Sequence, residues 1–404
     1  MFTMNGRDVL KMSKKGTLYV IGSVSFPREH AGASRLIEFS DILKNSFDKI
    51  ILAGKFENKP HEYYKFEDNI YFLPFHTISI KNIFDKIQLL FFPHKLFLDD
   101  LIKCIETNNV THILIYSVLP SYSVRRVLKI AKTHNIKIVF DVVEFQSLSE
   151  QTLSTTFSFY LPNLILNKYL IKKQDVITIS SYLQNYFMLK GCRTITIPFI
   201  FNSSKKPAPI INNTNDLSIK ILYAGSPNKS KDLILNCIKG LSLLPANIMR
   251  NFKFFIAGPE EIKIKRLIPE KIYKNIQKQV IFLGRISNND VIKLYNSCDF
   301  SVLLRDEKKR LAKAGFPTKV SESLVHGVPV LCNLSSDLDK YLIDGVNSVI
   351  VHGHSANDFK NSLLSVSKMS RQELNSMKIN ARKLFEEKLD SSLFKKDLID
   401  FFDN

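Results

Sequence analysis

Residues 314–329 read AGFPTKVSESLVHGVP, and this stretch decides the fold. An apolar run, FSVLL at 300–304, leads through Arg305 and a charged loop to Gly315, and an amphipathic segment follows from Thr318 to His326. The order is that of a strand, a glycine loop and a helix. Gly315 and Pro317 suit a tight turn, and Thr318 is placed to accept hydrogen bonds from the first helical N–H groups. Gly327 and Pro329 stop the helix before the next apolar run, VPVLC at 328–332. In an open α/β sheet such a helix start faces out from the strand ends. It offers unpaired N–H groups and a partial positive charge to a phosphate or a sugar oxygen.

The same alternation extends in both directions. Upstream, strands are predicted at 18–23, 49–53, 70–74, 112–117 and 137–142, with helices at 34–44, 97–107 and 121–134. An apolar, partly helical region at 153–173, a strand at 176–180, a helix at 182–190 and a strand at 194–198 complete that half. Residues 199–216, ending in KKPAPIINNTND, carry no apolar period and read as a connection. Downstream, strands are predicted at 219–224, 253–257, 279–283, 299–304, 328–333 and 348–351. Helices such as 231–241 and 288–297 separate them, and 357–402 reads as helical throughout. This alternation implies an α/β protein with two Rossmann-like, doubly wound domains facing across a cleft, ligands being expected at the carboxyl ends of the strands. The expected division is an N-terminal acceptor-side domain over 1–200, a linker over 201–216, a donor domain over 217–385, and a C-terminal helix over 386–404 that crosses back to the first domain.

Composition narrows the partners. A chain of 404 residues with 45% hydrophobic content can bury two cores, and its net charge of +19 is spread over both halves. A diffuse basic surface favours nucleotide phosphates or an anionic membrane face. No basic stripe interleaved with aromatics is present, so nucleic acid is not an expected partner. The cysteines at 104, 192, 237, 298 and 332 form no C-x-x-C pair and read as buried thiols of a reducing compartment. Residues 17–26, TLYVIGSVSF, contain Gly and Ser and precede Arg28, Glu29 and His30, which suits a first strand better than a signal peptide. The uncharged stretch 151–167 is rich in Ser and Thr and holds Pro162, too polar to span a membrane. A cytoplasmic location is expected, at the inner face of the membrane.

Four pieces, YAGSPNKSKD at 223–232, FIAG at 255–258, FLGR at 282–285 and AGFPTKVSESLVHGVPV at 314–330, resemble in order and spacing the donor domain of family 4 retaining glycosyltransferases of the GT-B fold, of the bacterial surface-polysaccharide type. The likeness runs from about 219 to 352. In the first half, FPREHAGASR at 26–35, DVVE at 141–144, ISSY at 179–182 and IP at 197–198 sit where that family has its acceptor-side loops and hinge. The resemblance implies metal-independent transfer of a hexosyl residue, with retention, from a nucleotide sugar carrying UDP. The implied acceptor is a saccharide or a polyprenyl-linked saccharide.

Residue by residue, Glu322 matches the second Glu of the family's E-x(7)-E pattern and is implied to accept from two ribose hydroxyls, although a Glu near a helix start is also favoured by the helix dipole. The first Glu position is Ala314, a departure that puts the contact to the donor sugar in doubt and leaves the backbone N–H groups of Gly315 and Phe316. Lys231 matches the pyrophosphate-binding Lys, with Lys229 competing for the role. The companion Arg is replaced by Ser226, next to Gly225. Arg305 and Lys319 are candidates to supply the missing charge, and each also reads as a solvated cation. Arg285 stands where the family holds the base through backbone groups. Gly32 lets backbone approach the reacting centre, or is a plain turn glycine. Asp141 and Glu144 are carboxylates able to orient or deprotonate an acceptor hydroxyl. The family's His between them is Val143, and His30 reads as an ordinary loop residue. Residues 78–98 either pack on their own domain or lie on an anionic membrane as an amphipathic helix broken at Pro93. Two alternatives stay open, a sugar-nucleotide 2-epimerase of the same architecture and a nucleotide-binding protein without turnover.

Overall fold

The structure is a computed structural model that describes residues 15–26, 31–56, 60–75, 95–116, 121–145, 147–148, 160–206, 218–225 and 232–404. His30, Ser226, Lys229, Lys231, residues 207–216 of the expected linker, and the segments 78–94 and 151–159 lie outside the described residues. Two compact units divide the chain, residues 1–140 with 395–404, and residues 141–394.

In the first unit the strands β1 (Lys15–Ser25), β2 (Phe47–Lys55), β3 (Tyr64–Glu67), β4 (Ile70–Pro74), β5 (Val110–Tyr116) and β6 (Lys137–Val142) lie in the order β3-β4-β2-β1-β5-β6. β1 pairs in parallel with β2 on one side and β5 on the other. Its residues Leu18, Tyr19, Val20 and Ile21 are all buried, as a strand covered on both faces requires. β3 was not expected from the sequence. It is a four-residue edge strand, YKFE, antiparallel to β4, and its exposed Lys65 and Glu67 give it too little apolar signal to stand out.

The chain end completes this unit. The helix Lys395–Asp403 packs on the helix Ala31–Leu43 and buries Leu398, Phe401 and Phe402. The Phe402 ring meets Phe47 edge-on at 6.0 Å. Its carbonyl accepts from Lys15 Nζ at 3.0 Å and Lys137 Nζ at 3.3 Å, and His112 Nε2 lies 3.2 Å away. Burial first, and then Lys15, push the His112 imidazole down to about 4, so it sits neutral against this terminus.

The second unit holds the parallel pair β7 (Asp175–Thr178) and β8 (Arg193–Thr196), and a six-stranded sheet. Its strands β9 (Ile219–Ala224), β10 (Phe252–Ala257), β11 (Val280–Gly284), β12 (Phe300–Leu303), β13 (Val330–Cys332) and β14 (Ser348–Ile350) run in the order β11-β10-β9-β12-β13-β14, every pair parallel. Phe252, Phe254, Phe300, Tyr223 and Phe359 fill the core. The α/β architecture with two doubly wound sheets, parallel but for the edge strand β3, is therefore as expected. Residues 357–402 are helical apart from short breaks, as a succession of helices. Ser355 with Asp358 and Ser370 with Glu373 form capping boxes that start two separate helices, Ala356–Val366 and Arg371–Lys388, and a 3₁₀ turn at Ser391–Phe394 precedes the last one. All five cysteines are unpaired thiols and buried, as the sequence implied.

Candidate functional site

Strand order fixes where the site lies in the second unit. β9 is flanked by β10 and β12, so the direction of winding reverses between β9 and β12, and beyond the carboxyl ends at such a point an open α/β sheet has its ligand crevice. Gly225 follows β9, and Arg305 comes two residues after β12. The backbone there is crowded. Gly225 donates its N–H to Ala257 O at 3.0 Å. Gly258, with φ +118°, has so little room that a Cβ would stand 2.0 Å from Gly225 O. A Cβ on Gly225, with φ +149°, would stand 2.4 Å from Lys319 Cε, so Lys319 lies directly across this glycine.

Lys319 is held there by a residue that sequence reasoning missed. Its Nζ donates to Asp232 Oδ2 at 2.6 Å, and the Tyr223 hydroxyl donates to the same oxygen at 3.0 Å. Arg305 Nε stands 3.5 Å from Asp232 Oδ1, an ion pair too long for a hydrogen bond. Asp232 is almost fully buried, and its segment is tied to the end of β12 by the Leu233 N–H, which donates to Leu304 O at 2.9 Å. Burial works to raise the Asp232 carboxyl. Lys319 and Arg305, with hydrogen bonds from Lys319 and Tyr223, outweigh it and hold the group ionised below the ordinary range. Among the described residues, Asp232 Oδ1 and Arg305 Nε are both buried without a hydrogen-bond partner, which leaves them unspent hydrogen-bonding capacity.

The helix Thr318–Val325 packs closely because its inward side chains are small. Ser301 Oγ on β12 donates to Ser323 Oγ at 2.6 Å, Ser323 Oγ donates to Val328 O at 2.6 Å, and Ser321 Oγ to Phe199 O at 2.6 Å. The expected capping by Thr318 does not occur. Thr318 is already the first helical residue, the cap position is Pro317, and no side chain caps the helix. Gly315 also spends its N–H, which donates to Leu311 O at 3.1 Å and closes the short helix Arg310–Ala314. Among the described residues the N–H groups of Phe316, Thr318 and Lys319 have no acceptor. The Phe316 ring turns into the core, edge-on to Tyr341 at 5.5 Å, so this residue presents backbone rather than side chain.

Glu322, on the same helix, is half-buried, and no side chain or backbone group among the described residues hydrogen-bonds its carboxylate. Burial pushes it up to about 7 against the opposing charges of Lys319 and Lys206. A carboxylate left in that condition is poised to gain from incoming O–H donors.

The remaining candidates fall in three places. Ala314, where a carboxylate was missing, is fully buried, and its carbonyl accepts from Ser180 Oγ at 2.6 Å. Asp141 is fully buried at the end of β6, and Glu144 is half-buried two residues beyond the strand. Their loop reaches the Gly315 turn. Val143 O lies 3.5 Å from where a Gly315 Cβ would be, and the Arg310 guanidinium lies 4.8 Å over the Phe145 ring. Arg285 is exposed just past β11. Gly32 belongs to the first unit, where a Cβ would come within 2.9 Å of the Tyr116 ring and hydroxyl, a local packing reason for the glycine. Among the described residues, Asp306, Glu307 and His354 are the group able to hold a cation, with ligand atoms within 4.8 Å of one another. Glu307 Oε2 is already engaged by His354 Nδ1 at 2.9 Å and Asn333 Nδ2 at 2.9 Å.

Residues 205–384 match the family profile described as glycosyl transferases group 1. No curated protein sequence matches the chain. Among solved structures, the sucrose-phosphate synthase of Thermosynechococcus elongatus superposes with a TM-score of 0.74 at 14% identity, covering 96% of this chain and 98% of that one. The Anabaena HepE protein in complex with UDP and glucose gives 0.65 at 14% identity, covering 96% and 99%. WaaG, a glycosyltransferase involved in lipopolysaccharide biosynthesis, gives 0.64 at 13% identity, covering 95% and 98%. At these identities the likeness shows the GT-B fold. No helix among the described residues is long and apolar enough to cross a membrane.

Proposed function

We propose that this chain, a glycosyltransferase whose residues 205–384 form a glycosyl transferases group 1 domain, transfers a hexosyl residue from UDP-sugar to a saccharide carried on a polyprenyl lipid, with retention of configuration. The observation that carries the reading is Glu322. A half-buried carboxylate that no group among the described residues hydrogen-bonds, on the helix that starts beyond β12, has the chemistry to accept from both ribose hydroxyls of a nucleotide. UDP and glucose in the HepE complex support uridine as the nucleotide, and the involvement of WaaG in lipopolysaccharide biosynthesis supports a surface-glycan acceptor at the cytoplasmic membrane face.

In this reading the diphosphate lies at the Gly225 turn. Lys319 and Arg305 face its charge, and the open N–H groups of Phe316, Thr318 and Lys319 face its oxygens. Lys229 or Lys231 adds a further cation. Asp232 acts as a positioning residue, because one buried anion fixes both cations before the donor arrives. The acceptor oxygen bonds to the anomeric carbon as the carbon–oxygen bond to the β-phosphate breaks on the same face. The electron pair leaves with UDP, and the acceptor proton goes to a β-phosphate oxygen or to Glu144. Charge on the leaving group is met by this cationic set without a metal in the scheme.

The test is UDP release from UDP-glucose, UDP-galactose and UDP-N-acetylglucosamine with a short lipid-linked saccharide as acceptor. Turnover with one donor, lost in Glu322→Ala, is the expected result. Turnover unaffected by that substitution would overturn the assignment of Glu322.

A further inference from the structure

One surface of the second unit exposes large apolar side chains and lysines together. The helix Ser181–Met188 ends with Met188 and Leu189, 57% and 89% exposed, and Tyr169, in the π-helical turn Leu166–Leu170, is 55% exposed. The two segments are tied together. Lys190 Nζ donates to the carbonyls of Asn167 at 2.7 Å and Lys168 at 2.8 Å, and the Lys173 N–H reaches Lys190 O at 3.4 Å. An almost fully solvated Leu next to an exposed Met, on a segment tied to that of an exposed Tyr, is apolar surface left open to solvent.

The charge around it is of one sign. Lys168, Lys172 and Lys173 are exposed, and Lys168 Nζ lies 5.4 Å over the Tyr169 ring. Burial first, and then Lys172, lower the Lys190 ammonium, with Lys168 adding to the effect, so these cations are close enough to feel one another. Between residues 160 and 192 the single acidic residue is Asp175, and Arg193 engages both its oxygens at 2.9 and 2.6 Å. A second copy of the chain would bring four lysines against four. A surface with apolar depth and fixed negative charge satisfies both features.

We infer that Tyr169, Met188 and Leu189 enter the interface of an anionic lipid bilayer while the exposed Lys168, Lys172 and Lys173 face lipid phosphates. These residues are other than the 78–98 considered from the sequence, and the inference goes beyond the proposed reaction, since its test needs no turnover. The surface would hold the enzyme at a membrane by apolar insertion and charge together, with the salt sensitivity that exposed charges give.

The chain contains no tryptophan, so Leu189→Trp makes a single reporter in the full-length protein. Ile262→Trp, at a residue 55% exposed elsewhere in the same unit, is the control. With vesicles of phosphatidylcholine containing about one third phosphatidylglycerol, the emission of Trp at 189 is expected to shift to the blue and to be quenched by brominated lipid, while that at 262 does neither. Pure phosphatidylcholine vesicles should give no shift, and the pair Lys172→Gln with Lys173→Gln should weaken partition about 30-fold. The inference is overturned if the protein does not bind the anionic vesicles, or if it sediments with them without a shift at 189. A blue shift that grows with protein concentration in the absence of vesicles would also overturn it, assigning the face to a second copy.

Discussion

Asp232 Oδ2 lies 2.6 Å from Lys319 Nζ, and this buried carboxylate is also the counter-ion of Arg305. The two cations beyond β9 and β12 therefore share one anchor. Asp232→Asn removes the charge and keeps the shape. It is expected to destabilise the protein by about 3 kcal/mol, the scale for breaking a buried ion pair, and to weaken UDP binding. Chemical denaturation and calorimetry read the two effects, and an unchanged stability would contradict the anchoring role.

The same carboxylate gives a pH dependence with a definite sign. Its folded-state pKa is held below the ordinary value, so its contribution to stability is complete above the normal carboxylate range and is lost as the pH falls through the lowered value. Acid unfolding of Asp232→Asn should lack that component. Identical acid-side slopes for the two proteins would show that Asp232 is not perturbed.

Two glycines separate backbone strain from site geometry. Gly258→Ala sets a Cβ against the Gly225 carbonyl, which cannot move aside, and is expected to cost about 2 kcal/mol or more of stability. Gly225→Ala meets only the far end of Lys319 beyond its own backbone penalty, so its larger effect is expected on UDP affinity. Comparing melting temperature with UDP affinity for both variants checks the contrast.

Glu322, pushed up to about 7, should make nucleotide binding depend on pH. Hydrogen bonds from ribose hydroxyls favour the ionised form, so binding expels a proton and affinity rises between about pH 6 and pH 8. Titrations of UDP at several pH values, with Glu322→Gln as the reference that cancels the titration of the phosphate, should show this rise in wild type alone. Equal slopes in both proteins would remove Glu322 from the ribose.

The parallel strands were legible because a strand covered on both faces is a continuous apolar run, as at 18–21 and 300–304. The short edge strand β3 was not, since half of its four side chains are exposed and charged or polar. Glu322 stood out through its spacing from the glycines that bracket its helix. Asp232 did not, because its meaning comes from Lys319, 87 residues away in sequence, and from Arg305, which only the strand order brings beside it. The cap at Thr318 was misread by one position, a common ambiguity when Pro occupies the residue before the first helical turn.

The C-terminal helix is predicted to be essential to the first unit. Ending the chain at residue 394 uncovers the surface now shielded by Phe401 and Phe402 and removes the carbonyl acceptors of Lys15 and Lys137. Losing the burial of the two rings alone is worth about 4 kcal/mol or more. A truncated protein with an unchanged unfolding transition would show the helix to be dispensable.

The central claim is that the crevice beyond β9 and β12 binds a uridine nucleotide through Glu322. Calorimetric titration of UDP, GDP, CMP and ADP into wild type and Glu322→Ala tests it most directly. UDP is expected to bind tightest, and the substitution to weaken it about tenfold or more, as for losing a charged hydrogen-bond acceptor. Absence of UDP binding to the wild-type protein, or an affinity that Glu322→Ala leaves unchanged, would contradict the account.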